Sequence, residues 1–416
     1  MTEIFLAPGV RTPFVKGGGD FAAFDSLALS TPVAQAMAAR AKPDLLVWGE
    51  VIPEPTISNI ARELVFAAGL EPTLPAISTV LACATSLVGA FEAAGMIGRG
   101  GNHLALVGGV ETMSHVPIAL KREVADRLIA LFGRDPAGAA AMLAALGPGD
   151  FDLPLKAWAN RVSGRSQGEH TEDTAKRFAI SREAQDRWAL RSHQGAVKGW
   201  DEGFFADLVI PFGGVDHDTL PRRDTSLERL AHLRPAFDAA NGTITAGNAS
   251  PVTDGAASVW VGDAEGLARL GAPAAVRLVD WEIAAIDFRL DEGMLMAPGR
   301  AIPRLLARHR LAFADVALWE IHEAFAAQVL ANIEAASDSA YRRERAGVDA
   351  DLGAFPWDRV NPHGGTLALG HPFAATGARI LSQAAKELAA LPRGARAIVS
   401  VCADGGQGAV ALLERA

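Results

Sequence analysis

Two series of short apolar runs, each run followed by an Ala-rich helical pattern, are separated by a long stretch of different texture, and this arrangement constrains the fold most. In the first series Leu45-Leu46-Val47-Trp48 and Leu104-Ala105-Leu106-Val107-Gly108-Gly109 read as strands, and 27–39 and 60–68 as helices. Such alternation indicates βαβ units around a largely buried sheet. From about residue 117 to 247 charges and turn residues increase, which reads as a large insertion. Within it, 124–146 carries apolar residues at helical spacing and predicts an amphipathic helix docked on its own protein, with membrane or partner contact as the alternative. Ser181 opens a well-marked helix over 181–197. The first texture then resumes, and a second βα series runs from about Ala274 onward. The expected organisation is a divergent duplication in the α/β class: one half from 1–118 plus 248–270, an insertion over 119–247, and a second half over 271–416.

Composition narrows the function. The chain has 416 residues and a net charge of −9, so it is long enough to bury a large site and is a poor partner for nucleic acid. An anionic ligand needs local cations. The two cysteines, Cys83 and Cys402, lie far apart in sequence and form neither a disulfide framework nor a zinc pattern of paired ligands, which favours a reducing compartment. Residues 1–9 lack the basic and apolar regions of a signal peptide, and no apolar run is long enough to span a bilayer. A soluble, cytoplasmic protein is expected.

Four segments place chemically capable residues at element boundaries. In the stretch 77–91 an apolar run ends at Cys83 and a helical pattern begins, so the macrodipole and free N–H groups of a helix start favour the thiolate. His322 sits where a strand passes into a helix, a Gly-rich loop carries His371 into another helix, and a strand delivers Cys402 into a Gly-rich turn. Gly108-Gly109 reads as a turn after its strand. Taken singly, each has a plainer reading: a packed cysteine, a bystander histidine, a closing loop. A zinc site built from the same four residues lacks the local ligand pairs usual in zinc modules, and no metal is expected.

The order of these segments resembles a known family. Cys83 in its strand-to-helix context, Gly108-Gly109-Val110-Glu111-Thr112-Met113-Ser114, Gly247-Asn248-Ala249-Ser250 with Asp254-Gly255-Ala256-Ala257, His322-Glu323-Ala324-Phe325-Ala326, Gly364-Gly365 with Gly370-His371-Pro372, and Cys402 with Gly405-Gly406 and Gly408 occur in the order found in thiolases. The resemblance covers essentially the whole chain and is closest to the 3-ketoacyl-CoA thiolases that form the β-subunit of the fatty-acid oxidation complex. It implies the thiolase fold, two similar five-stranded α/β halves packed in layers with the insertion covering the site. It also implies a two-step reaction in which Cys83 takes an acyl group as a thioester and coenzyme A, a co-substrate rather than a bound cofactor, removes it. The resemblance assigns His371 as the base for Cys83 and part of an oxyanion site, Cys402 as acid and base at carbon, and His322, where many thiolases have Asn, to an oxyanion site. For CoA it assigns Ser250 and His170 to the pantetheine arm and Arg222 to the adenine and phosphate end. A homodimer or homotetramer is implied, as is an α-subunit partner carrying hydratase and dehydrogenase steps.

Other readings stay open at this point: a short-chain acetyl-CoA C-acetyltransferase, a decarboxylating condensing enzyme in which Cys402 is dispensable, and a non-catalytic acyl-CoA binder. Cys83-Ala84-Thr85-Ser86 lacks the family's common Cys-x-Ser-Gly, and three further positions depart from the family pattern. Thr171 and Glu172 stand beside the expected pantetheine path, where a carboxylate would repel CoA or narrow the tunnel. Asp404 stands where many members have Gly, and its side chain is expected to turn away from the site.

Overall fold

The computed structural model describes residues 2–152, 159–271, 275–290 and 293–416. Strands β1 (Ile4–Arg11), β2 (Leu45–Glu50), β3 (Ala76–Thr79), β4 (Leu104–Thr112) and β5 (Thr253–Gly262) lie in the order β1-β5-β4-β2-β3. Strands β6 (Val276–Ala285), β7 (Leu318–Ile321), β8 (Arg396–Ala403) and β9 (Gln407–Arg415) repeat that order as β6-β9-β8-β7. The place of a fifth strand in this second half is held by one parallel bridge, Trp319 to Val360. The two halves join where β1 pairs antiparallel with β6, with Phe5 opposite Arg277.

The first half contributes α1 (Ser26–Ala38), α2 (Ile60–Ala67) and α3 (Thr85–Gly98), besides a short helix over Ala264–Arg269. The insertion contributes α4 (Arg122–Phe132), α5 (Pro136–Ala144), α6 (Gln167–Arg177) and α7 (Arg182–Asp201), and the second half α8 (Ala297–Arg308), α9 (Ala326–Ser337) and α10 (Thr376–Ala389). Alternation of side chains across each strand sorts the core into layers. Val47, Val107 and Val259 of the first half and Val399, Val401 and Leu413 of the second all pack on α3 and α10, the central layer shared by both halves. The opposite faces, with Leu46, Trp48 and Trp260 on one side and Trp319, Ile398 and Leu412 on the other, pack under α1 and α2 and under α8 and α9.

Glycines set the close approaches. A Cβ at Gly377 of α10 would lie 2.3 Å from the backbone nitrogen of Leu87, so α3 and α10 touch there without side chains between them. Gly108 and Gly109 do not form the turn read from the sequence. They lie inside β4, which runs on to Thr112, because the Trp48 ring and the Ala374 backbone press on them: added Cβ atoms would stand 2.2 and 2.4 Å from these groups. The helix expected over 124–146 is two helices. Gly133 closes α4, and Asp135, accepting from Gly138 N, caps α5 with Pro136 in its first turn. Ser181 caps α7 as expected. Among the described residues no helix is long and apolar enough to cross a membrane.

A buried ion pair ties the insertion to the sheet. Arg11, at the end of β1, donates from Nη1 and Nη2 to the two carboxylate oxygens of Asp218 at 2.5 and 2.6 Å. Asp218 also accepts from Phe14 N at 2.7 Å and from Trp200 Nε1 at 3.2 Å. Truncating one partner leaves the other charge buried and unpaired, a loss of about 3–5 kcal/mol. Arg11→Ala is therefore expected to lower the urea unfolding midpoint sharply, and a midpoint within error of the parent would contradict this account of the pair.

Candidate active site

Cys83 does not end a strand, as its sequence context suggested. β3 stops at Thr79, and the cysteine follows Ala82, which is held in the left-handed region at φ 44°. A non-glycine residue keeps such a conformation only when its surroundings enforce it. The Thr85 hydroxyl does so, donating to Ala82 O at 2.7 Å and accepting from Leu81 N at 2.8 Å. One residue on, Ser86 Oγ accepts from Ala378 N at 2.7 Å, which fastens the start of α3 to the start of α10. The helix that follows Cys83 is thereby locked to the helix that follows His371.

His371 Nε2 lies 3.1 Å from Cys83 Sγ. Its other ring nitrogen, Nδ1, is 2.7 Å from Thr376 Oγ1, and that hydroxyl donates its proton to Pro372 O at 3.2 Å. A hydroxyl has one proton, so Thr376 accepts from Nδ1–H and leaves Nε2 free to accept from the thiol. His322 has the opposite arrangement. Thr366 Oγ1 accepts from Glu323 N at 2.9 Å and sits 3.0 Å from His322 Nδ1, which among the described residues is the acceptor in reach of its proton, so that proton goes to Nδ1 and Nε2 carries hydrogen. That Nε2 is buried with no partner among the described residues. The two rings lie 4.2 Å apart, centre to centre. These tautomers follow from the hydrogen-bond network.

Burial dominates the ionisation of the site. It pushes the Cys83 thiol up to about 12, with the Asp404 charge adding to the rise and the backbone N–H groups of Cys83 and Asp404 opposing it. His371 is pushed down to about 3 by burial and then by the Arg379 cation. His322 falls well below its usual value for the same first reason, with His371 next. The thiolate expected from the helix start is thus not the resting species, because desolvation outweighs the helix-start effect. The resting pair is a neutral thiol and a neutral imidazole. Cys402, fully buried on β8, is raised by burial and then by the neighbouring Cys83 charge. Cys83, His322 and His371 have their donor atoms within 4.8 Å of one another, but Cys402 stands outside that group, so the four do not form one metal-ligand set.

Two cavities meet at this cluster and share Gln167 and Phe373. One, of about 420 Å³, has Cys83, Ala82 and Asp404 on its wall with Val51, Ile52 and Asn160. The other, of about 270 Å³, has His371 and Ser250 on its wall with Phe237, Ala324 and Phe325. Ser250 therefore shares a cavity wall with His371. His170 and Arg222 line neither cavity. His170 is turned to Ser163 Oγ at 2.8 Å and stands edge-on to Phe288, while Gln167, one turn earlier on α6, takes the wall position. Arg222 donates its backbone N–H to His193 Nδ1 at 3.2 Å, and the adjacent Arg223 is paired with Asp201. Nothing in the spacing singled out Gln167 or Asn160, whereas Phe373 follows directly on Gly370-His371-Pro372.

The departing residues resolve differently. Glu172 does not enter the tunnel: its carboxylate accepts from Thr243 N and Oγ1 and from Ile244 N at 2.8, 2.9 and 3.0 Å, pinning the loop that leads to Ser250. Thr171 bonds back to Gln167 O at 2.7 Å. Asp404, expected to turn away, lines the larger cavity and accepts from Asn160 Nδ2 at 3.0 Å.

A strained turn that presents a buried cysteine to an imidazole, at the meeting of two α/β halves, defines a class of nucleophilic acyl-transfer sites. Comparison with known proteins agrees. The family descriptions "Thiolase, N-terminal domain" and "Thiolase, C-terminal domain" match residues 4–265 and 272–415. The 3-ketoacyl-CoA thiolase of Erwinia tasmaniensis is 37% identical over 427 residues, covering 99% of this chain and 96% of its own. That of Shewanella loihica is 36% identical, covering 99% and 97%. Among solved structures, the Bacillus anthracis acetyl-CoA acetyltransferase superposes with a TM-score of 0.82 at 29% identity, covering 100% of this chain and 99% of its own. A thiolase from Ascaris suum in complex with coenzyme A gives 0.80 at 25% identity over the whole of both chains. The chain belongs to the thiolase family.

Proposed function

We propose that the protein is an acyltransferase that cleaves 3-ketoacyl-CoA with coenzyme A, giving acetyl-CoA and a shortened acyl-CoA. The observation that carries this reading is the Cys83 thiol held 3.1 Å from an imidazole nitrogen with a free lone pair. His371 Nε2 takes the Cys83 proton as the sulfur attacks the 3-keto carbon. The developing oxyanion is met by Nε2–H of His322 and by the newly protonated His371. The bond between C2 and C3 then breaks, its electron pair stays on C2, and Cys402 donates the proton that completes acetyl-CoA. In the second half the CoA thiol gives its proton to the Cys402 thiolate and attacks the acyl thioester. Cys83 leaves and recovers its proton from His371, so every group returns to its starting state. The backbone N–H groups of Cys83 and Asp404 serve the thioester oxygen.

Ser250 and the cavity around it suit the pantetheine arm. His170 acts on that arm only through its neighbours, and Arg222 serves the phosphate end outside both cavities. A cavity of about 420 Å³ beside Cys83 is larger than an acetyl group needs, which favours longer 3-ketoacyl chains over a dedicated acetyl-CoA C-acetyltransferase. The division into 1–118 with 248–270, 119–247 and 271–416 follows the change of texture and the positions of the two half-sheets. A homodimer or homotetramer through the first half is supported by β3, which is the outer strand of its half-sheet and leads to Val80, 61% exposed. Two free cysteines suit a reducing cytoplasm. Association with a chain carrying hydratase and dehydrogenase steps belongs to the same reading and is tested by co-purification.

The test is CoA-dependent loss of 3-ketoacyl-CoA thioesters across chain lengths. Turnover that extends beyond acetoacetyl-CoA supports the reading, and no cleavage at any length would overturn it. Thr366→Val is a finer probe. It removes the proton that fixes His322 with hydrogen on Nε2, a loss of about one hydrogen bond and roughly tenfold in kcat/KM. Thr366→Ser should recover most of the rate, and equal rates for parent and valine variants would refute the tautomer assignment.

A further inference from the structure

We propose that Asp404, held by Asn160, makes this site discriminate among 3-ketoacyl chains by charge, favouring chains that carry a hydroxyl donor and rejecting chains that end in a carboxylate. The inference rests on the thiolase reading and adds the class of acyl group to it. Asp404 shares the wall of the larger cavity with Cys83. Its carboxylate therefore stands beside the first carbons of whatever chain the sulfur receives. Asn160 sits on a short hairpin of the insertion, paired with Arg165, and donates to one carboxylate oxygen, Oδ2, at 3.0 Å. Among the described residues no donor reaches the other oxygen and no cation forms an ion pair with this carboxylate. Val51, Ile52, Val116, Pro117 and Phe373 make most of the remaining described wall apolar, with Gln167 the other polar residue on it besides Asn160.

Two physical consequences follow. An acceptor facing a mostly apolar wall rewards a chain that brings a donor, because the unpaired oxygen otherwise loses its hydration. A second carboxylate brought into the same cavity meets like charge, which is a strong means of rejecting a substrate. The competing explanation is that Asn160 and Asp404 only latch the insertion to the second half. A latch would affect all acyl chains alike, whereas a wall that reads charge moves their ratio.

The experiment measures kcat/KM for three short 3-ketoacyl-CoA thioesters of one chain length, ending in methyl, hydroxyl or carboxylate within a few carbons of the keto group, where Asp404 stands. The parent enzyme, Asp404→Asn and Asp404→Gly are compared, with folding of each checked by circular dichroism. The parent should prefer the hydroxyl chain over the carboxylate chain by at least about tenfold. In both variants that ratio should shrink at least about fivefold, because the charge is gone while the cavity remains. Asn160→Ala should keep the discrimination, since Asp404 retains its charge there. A parent enzyme that cleaves the methyl chain but treats hydroxyl and carboxylate chains alike overturns the inference and leaves the thiolase reading standing. A ratio unchanged in a folded Asp404 variant overturns it too. Failure to cleave any of the three chains in the parent refutes the thiolase reading itself, and this inference with it.

Discussion

Cys83→Ser is expected to reduce thiolysis of every 3-ketoacyl-CoA to background, a loss of at least ~10⁴-fold in kcat. The parent site holds a neutral thiol already raised to about 12, and His371, lowered to about 3, is a weak base that removes that proton only as the sulfur–carbon bond forms. A serine hydroxyl in the same place is a far weaker acid, so the same imidazole cannot deprotonate it. The fold should survive, because serine keeps the hydrogen bond that the Cys83 side chain makes to His371. Turnover by the serine variant within tenfold of the parent would mean that another group is the nucleophile.

The next largest effect belongs to Cys402→Ala, for which a loss of about 10²–10⁴-fold in thiolysis is expected, the usual range for removing a general acid. Its signature lies in which half of the reaction fails. Carbon–carbon cleavage needs a proton at C2, so thiolysis should collapse, and exchange of the C2 protons of acetyl-CoA with solvent should stop. Transfer of an acyl group from a simple acyl-CoA to Cys83 needs no proton at carbon and should persist. A decarboxylating condensing enzyme predicts the opposite, full activity without Cys402. The pair of assays therefore separates the two reaction classes that share a cysteine with two histidines.

Much of this was legible in the sequence because it is local. Apolar alternation located β2, β4, α1 and α2 to within a few residues, and Ser181 marked the start of α7. The four chemically capable residues stand at element boundaries in both readings. What the sequence concealed depends on contacts between distant segments. Gly108 and Gly109 read as a turn, but the Trp48 ring and the Ala374 backbone, 60 and 265 residues away, make them strand residues pressed from both sides. The thiolate expected at Cys83 depended on the helix start alone, while the deciding influence is desolvation by everything packed around the sulfur. Gln167 rather than His170 reaches the cavity although the two share one face of α6, because the His170 ring is held by Ser163 Oγ, a contact that spacing alone does not reveal. The same limit explains Glu172 and Asp404. Equal as carboxylates in the sequence, one is spent on the backbone of Thr243 and Ile244 and the other stands in the acyl cavity.

The most direct measurement is intact-protein and peptide mass spectrometry after mixing the enzyme with a 3-ketoacyl-CoA in the absence of free CoA. The account predicts one added acyl group, two carbons shorter than the substrate chain, attached at Cys83 and removed on addition of CoA. No adduct, an adduct on another residue, or one that CoA does not discharge would contradict it.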